Sequence, residues 1–187
     1  MRALRRVGVF CGSSLGTDPA IHTLAHELGT TLVKEGIGLV YGGAKVGVMG
    51  MLADAVLDGG GDAIGVLPHG LFSREVPHDN LTQLHLVDNM HDRKRLMYEL
   101  ADGFVVLPGG LGTLDELFEA ATWNHLRLHE PLKPITLLDH ASFWSTLFAF
   151  LDATVDTGFV KQATRDMLQR SASPNEALDQ LRRFEFG

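Results

Sequence analysis

The segment Pro108-Gly109-Gly110-Leu111-Gly112-Thr113-Leu114-Asp115-Glu116 concentrates the residue types that hold a phosphate and act beside it. Glycines let backbone N–H groups approach an anion closely, and the helix that follows offers the positive end of its dipole. Thr113-x-x-Glu116 also fits a capping box, in which the glutamate ties down its own helix end, so Glu116 has a catalytic and a structural reading. The glycines upstream weigh toward the first, because a cap needs no run of small residues. A second cluster, Met90-His91-Asp92-Arg93-Lys94-Arg95, sets three cations in the first turn of an expected helix. That placement opposes the helix dipole and is relieved either by an anionic ligand or by pairing with Asp88 and Asp92.

Other motifs are weaker. Tyr41-Gly42-Gly43-Ala44-Lys45-Val46-Gly47-Val48-Met49-Gly50 reads as a turn into a helix, and the chain carries neither the dinucleotide glycine fingerprint after its first strand nor a P-loop. Gly12-Ser13-Ser14-Leu15-Gly16 matches the short pattern of a nucleophile elbow, which would make Ser14 a hydrolase nucleophile. An elbow leads straight into a helix, whereas Thr17-Asp18-Pro19 postpones the helix here, so hydroxyls contacting phosphate or ribose explain Ser13 and Ser14 better. His125 and His129 are spaced i, i+4, but the glutamate of a zinc-binding helix is missing and no third ligand follows by spacing, so no metal is expected. Trp123, Trp144, Phe118, Phe148 and Phe150 fall on helical stripes suited to core or subunit packing.

The elements that must position these groups alternate β and α from start to finish, the pattern of a parallel sheet wound with helices. Strands are expected at Val7–Cys11, Gly38–Tyr41, Ala63–Leu67, Leu84–Val87, Phe104–Leu107, Ile135–Leu138 and Met167–Arg170. Helices are expected at Pro19–Lys34, Gly47–Leu57, Asp92–Ala101, Thr113–Leu128, Ser142–Thr157 and Asn175–Arg183. The polar, aperiodic stretch His69–Asn80 suits a long, mobile loop over a site. The resulting class is α/β: a doubly wound, mainly parallel sheet with helices on both faces, in one domain of 187 residues. In such sheets ligands sit beyond the carboxyl ends of the strands, where the turns at Gly12, Gly42-Gly43 and Gly109-Gly110 would gather.

With 45% hydrophobic residues the chain can cover both faces of that sheet. Its net charge of −7 argues against binding a nucleic acid polymer through many phosphates. Cys11 is the single cysteine, which excludes an internal disulfide, and no run is long enough for a signal sequence or membrane span, so a cytoplasmic protein is expected.

Pro-Gly-Gly-x-Gly-Thr-x-x-Glu at 108–116 together with Met-His-x-Arg-Lys at 90–94 resembles the LOG (Lonely Guy) family, cytokinin riboside 5′-monophosphate phosphoribohydrolases often mislabelled as lysine decarboxylases. The similarity extends over Val9–Ser14, Tyr41-Gly42-Gly43, Gly47-x-Met49-Gly50, Arg74-Glu75 and Gly158-Phe159. It departs at Ala44 and Ser73, where relatives carry a glycine and a proline, and across Val76–Leu81. The resemblance implies hydrolysis of the N-glycosidic bond of a nucleoside 5′-monophosphate, Arg93 and Glu116 as the catalytic pair, and Gly109, Gly110, Gly112 and Thr113 on the 5′-phosphate. Gly12, Ser13, Gly42, Gly43, Met90 and Lys94 become the expected further substrate contacts. It also implies a Rossmann-like fold and a homodimer with shared active sites; no cofactor is expected. The rival reading is a carrier, resembling molybdenum-cofactor carriers, that binds a phosphorylated ligand without cleaving it.

Overall fold

The central runs of β-formers alternate residue by residue between two apolar destinations. In β1 (Arg6–Phe10) and the residue after it, Val7, Val9 and Cys11 enter one core and Phe10 enters the other. The same period of two separates Leu39 and Tyr41 from Val40 in β2 (Gly38–Tyr41), and Val105 and Leu107 from Phe104 and Val106 along β5 (Gly103–Val106). A strand apolar on both faces must be covered on both, which is why the sheet is interior and parallel. The computed structural model describes residues 3–71 and 75–185, so the sequence features at Ser73 and Arg74 lie outside the described residues.

The remaining strands are β3 (Ala63–Pro68), β4 (Gln83–Val87), β6 (Ile135–Leu138) and β7 (Leu168–Ser171), and the spatial order is β4-β3-β2-β1-β5-β6-β7. Every pairing is parallel. The chain winds outward from β1 to β4, returns beside β1 as β5, and winds outward the other way. That reversal between β1 and β5 opens a crevice at their carboxyl ends, the switch point at which doubly wound sheets bind ligands.

Helices α1 (Pro19–Lys34), α2 (Gly47–Asp58) and α7 (Pro174–Arg183) cover one face, burying Leu28, Leu32, Leu52, Val56 and Leu181. Helices α3 (Met90–Leu100), α4 (Leu111–Leu126) and α5 (Ser145–Asp156) cover the other, burying Met97, Tyr98, Leu117 and Phe148. A single turn, α6 (Gln162–Arg165), lies between α5 and β7 and was not expected from the sequence.

Local chemistry explains where the expected boundaries moved. Asp18 accepts from the Ala20 amide at 2.9 Å and caps α1 where the Asp-Pro pair predicts it. Helix α3 begins at Met90 instead of Asp92 because Asn89, extended at φ −151°, accepts from the Asp92 amide at 2.9 Å. Helix α5 begins only at Ser145 because Ala141 and Ser142 both adopt positive φ, 49° and 63°. Helix α4 ends at Leu126, where Arg127 turns left-handed, so His129 is not on the helix that carries His125. Among the described residues no helix is long and apolar enough to cross a membrane.

Candidate active site

The wall of the crevice contributed by β5 is a turn and a helix start. Gly110 is the N-cap of α4, extended at φ −100° and ψ −153°, with no side-chain cap bond, so the helix opens with its N–H groups uncovered. Gly109 is small for a direct reason: a Cβ there would lie 2.2 Å from Thr113 Oγ1. Thr113 is the third helical residue, 2% exposed, and its buried hydroxyl has no hydrogen-bond partner. The capping-box reading is thereby corrected. With Gly110 as the cap, Thr113 and Glu116 both lie inside the helix, and Glu116 is too far along it to bond the capping residue's amide.

On the opposite wall α3 delivers one cation and diverts two. Asp92 occupies the first turn, so the three basic residues follow in the second and oppose the dipole little, contrary to the sequence expectation. Arg95 pairs with Asp92 at 3.0 Å. Lys94 bridges Asp115, at 2.9 Å, and Glu119 on α4, and does not line the crevice. Arg93 alone turns inward. It is 3% exposed, donates from Nη2 to the Gly42 carbonyl at 3.2 Å, and lies with Nη1 3.3 Å from Glu75 Oε2, an ion pair short of hydrogen-bond geometry. Its Nε is buried without a partner. A Cβ on Gly42 would sit 1.9 Å from Nη2, so the glycine is the seat of this guanidinium.

Between these walls lies a cavity of about 210 Å³. It brings together Arg93 and Glu116 with Gly110, Gly112 and Thr113, and adds Gly12, Ser13 and Met90 from the neighbouring turns. Gly42 and Gly109 stand behind this lining, and Gly43, at φ +82°, packs against Gly65. Met49, Cys11, Leu111 and Glu75 also line it, and residue spacing pointed to none of them as a site residue. Glu75 is the instructive omission: it belongs to the aperiodic stretch, and only a buried arginine from another element gives its charge a purpose. Wider depressions of about 570 Å³ and 590 Å³ lie along β7, but their charged groups already pair, Arg165 with Asp152 and Arg170 with Asp139.

Burial is the largest influence on Glu116 and pushes its carboxyl up to about 7; Arg93 and Lys94 oppose that rise, while Glu75 and Asp115 reinforce it. Burial therefore outweighs the opposing charge of Arg93 at Glu116. The pair places a proton-exchanging group near neutrality inside a cavity. Burial raises the Cys11 thiol far above its ordinary value, so it packs as a small apolar group. Ser14 Oγ accepts from the Gly16 amide at 3.3 Å, within a turn that precedes α1 by several residues, so the elbow geometry is absent. His125 bonds Thr164 at 3.0 Å and His129 packs against Trp123, and among the described residues no three His, Cys, Asp or Glu side chains gather as a metal site.

Residues 49–181 match the protein family described as "Possible lysine decarboxylase". Over 181 residues the chain is 40% identical to cytokinin riboside 5′-monophosphate phosphoribohydrolase LOG7 of Arabidopsis thaliana, covering 97% of this chain and 82% of that one. Over 162 residues it is 44% identical to the cytokinin riboside 5′-monophosphate phosphoribohydrolase of Rhodococcoides fascians, covering 86% and 81%. Among solved structures, the molybdenum cofactor binding protein of Rippkaea orientalis superposes with a TM-score of 0.70 at 23% identity, covering 96% of each chain, a likeness of fold.

Proposed function

We propose, for a chain that belongs to the LOG family of cytokinin riboside 5′-monophosphate phosphoribohydrolases, that the cavity between α3 and α4 is where it hydrolyses the N-glycosidic bond of a nucleoside 5′-monophosphate. Water adds to C1′ of the ribose, the carbon–nitrogen bond breaks, and the base leaves with its electron pair and a proton; the products are free base and ribose 5-phosphate. The observation that carries the reading is a buried carboxylate, Glu116, and a buried guanidinium with a free Nε, Arg93, facing one cavity at an uncapped helix start.

The roles follow from what each group needs. The uncovered N–H groups of α4 and the unpartnered Thr113 hydroxyl suit the 5′-phosphate, with Gly112 and Ser13 beside them. One turn further on, Glu116 faces the sugar, where its carboxylate takes a proton from the attacking water and its charge favours the oxocarbenium-like transition state. Arg93 opposes that charge and orients the ribose. Met49, Met90 and Leu111 leave an apolar rim for the base. No lysine lines the cavity among the described residues, so the amine that a pyridoxal-phosphate decarboxylase requires has no candidate there.

Two features support a homodimer with sites that draw on both copies. The cavity, at about 210 Å³, is smaller than the roughly 300–1,000 Å³ usual for a whole ligand, so a base held in its mouth gains a wall from a second subunit. Phe159, 87% exposed, lines an apolar groove with Phe118 and Leu151, a surface suited to a copy of the chain. We place the reaction in the cytoplasm, where nucleoside monophosphates are formed.

Incubation with AMP and with an N6-prenylated AMP, followed by measurement of ribose 5-phosphate and free base, tests the function. Release of both products in equal amounts is expected. Tight nucleotide binding without product would favour the carrier.

A further inference from the structure

Glu75 reaches Arg93 from the connection between β3 and β4, in which, among the described residues, only a 3-10 turn is regular. The chain leaves β3 at Pro68, makes a 3-10 turn at His69–Leu71, and re-enters the sheet only at Gln83. A free segment of that length would spread the Glu75 carboxylate over many positions, and Arg93 would lose its ion-pair partner in most of them. Backbone bonds supply part of the restraint: the Lys45 amide donates to the Val76 carbonyl at 2.9 Å, the His78 amide donates to the Gly43 carbonyl at 3.0 Å, and Ala44 and Pro77 form an antiparallel bridge.

The Glu75 amide also donates to the Leu71 carbonyl at 2.8 Å, and Lys45 Nζ pairs with Asp79 at 2.9 Å on the exposed side of the segment; the buried side-chain restraint is one imidazole. His78 has a side chain only 6% exposed, and both of its ring nitrogens are engaged. The Asn80 amide donates to Nδ1 at 3.2 Å, which makes Nδ1 the acceptor and leaves the ring proton on Nε2. Nε2 then donates to Asp54 Oδ1 at 3.0 Å. Asp54 belongs to α2, whose first turn contributes Met49 to the cavity and whose Met49 amide donates to the Gly12 carbonyl at 3.3 Å. The contact therefore joins two walls of one cavity, the α2 wall and the Glu75 wall, at a point outside the cavity itself.

We propose that His78 is a positioning residue for the hydrolysis: bonded at both ring nitrogens, it pins the Glu75 segment to Asp54 on α2 and, through Glu75, fixes Arg93 in the cavity. This rests on the hydrolysis proposed above and adds to it a residue that touches neither substrate nor Arg93.

Turnover of AMP by His78→Ala, Asp54→Ala and Asp54→Asn, each alone and with Glu75→Ala, tests the chain of contacts. A displaced catalytic group costs up to about 10²-fold in rate. His78→Ala and Asp54→Ala should lower kcat roughly 10-fold or more with KM changed less than about 3-fold, while Asp54→Asn, whose amide oxygen still accepts from Nε2, should restore most of it. In the Glu75→Ala background the same substitutions should add almost nothing. Equal losses with and without Glu75, or altered thermal stability at unchanged kcat, would overturn the proposal. Asp54 is 64% exposed in its side chain, so its variants keep the fold if His78→Ala does not. Amide exchange of His78 reads the pin without turnover: Asp54→Ala should speed it at least about 10-fold, and unchanged exchange would refute the pin. A wild-type protein without hydrolysis but with this exchange response would overturn the function and leave the pin standing.

Discussion

Helices α3 and α4 enter the same cavity by their first turns and are built in opposite ways. Helix α3 is closed: Asn89 and Asp92 satisfy its start, and what it delivers is a side chain, Arg93, one turn in. Helix α4 is open: Gly110 has no side chain to cap it, and what it delivers first is backbone, with Thr113 and Glu116 following on the buried face. A side-chain cap in place of glycine is worth a few tenths of a kcal/mol, so an uncapped helix start in a cavity is stability left unused at a place where an anion can bind. A helix start that binds ligand and one that positions a side chain need contrary terminal residues.

The comparison breaks most visibly at Glu116. Replacing it with glutamine should lower kcat by about 10²–10⁴-fold while AMP still binds, because the open helix start holds the phosphate independently of the carboxylate. Steady-state kinetics and calorimetric AMP binding check both halves, and lost binding would show that the two functions are not separable. The wild-type rate should rise with pH along a limb near 7, since the base must be ionised and burial holds its carboxyl at about 7. Glu75→Gln removes a charge that raises Glu116 and should move that limb to lower pH.

The next effect exchanges the helix starts. Gly110→Asp gives α4 the cap of α3, and a Cβ at Gly110 meets nothing within 4 Å, so the fold accommodates it. It should gain a few tenths of a kcal/mol in stability, yet raise KM for AMP by roughly 10–10²-fold, because the new carboxylate occupies the N–H groups and repels phosphate. A Gly110→Asp protein with normal KM would remove the anion from the start of α4.

Stability itself carries the trace of Glu116. Its folded pKa of about 7 lies above the ordinary 4.5, so the folded state binds the proton more tightly between these values and stability falls as pH rises through that window. The loss should approach about 3 kcal/mol by pH 8, and Glu116→Gln should abolish it. Denaturant unfolding at pH 5 and pH 8 measures the difference. The smallest effect belongs to the closed helix: Asn89→Ala should cost about 1 kcal/mol in stability with kcat/KM changed less than about 3-fold.

What the sequence determined by itself is the α/β winding and the glycine turn at 108–112. Strand and helix signals depend on near neighbours, through the alternation in β1, the Asp18-Pro19 start of α1 and the Ser173-Pro174 start of α7, so they are legible along the chain. Arg93 and Glu116 were legible as candidates because each sits in a dense local motif. Tertiary structure alone decided which of two cations on adjacent positions serves the cavity: Arg93 meets a carbonyl bared by Gly42, and Lys94, one residue on, points to Asp115 and Glu119. It also decided that Thr113 is no cap, that Glu75 is a wall of the site, and that burial overrides Arg93 at Glu116. The physical reason is common to all four. Burial and the direction of a side chain are set by residues far away in sequence, and no local pattern carries that information.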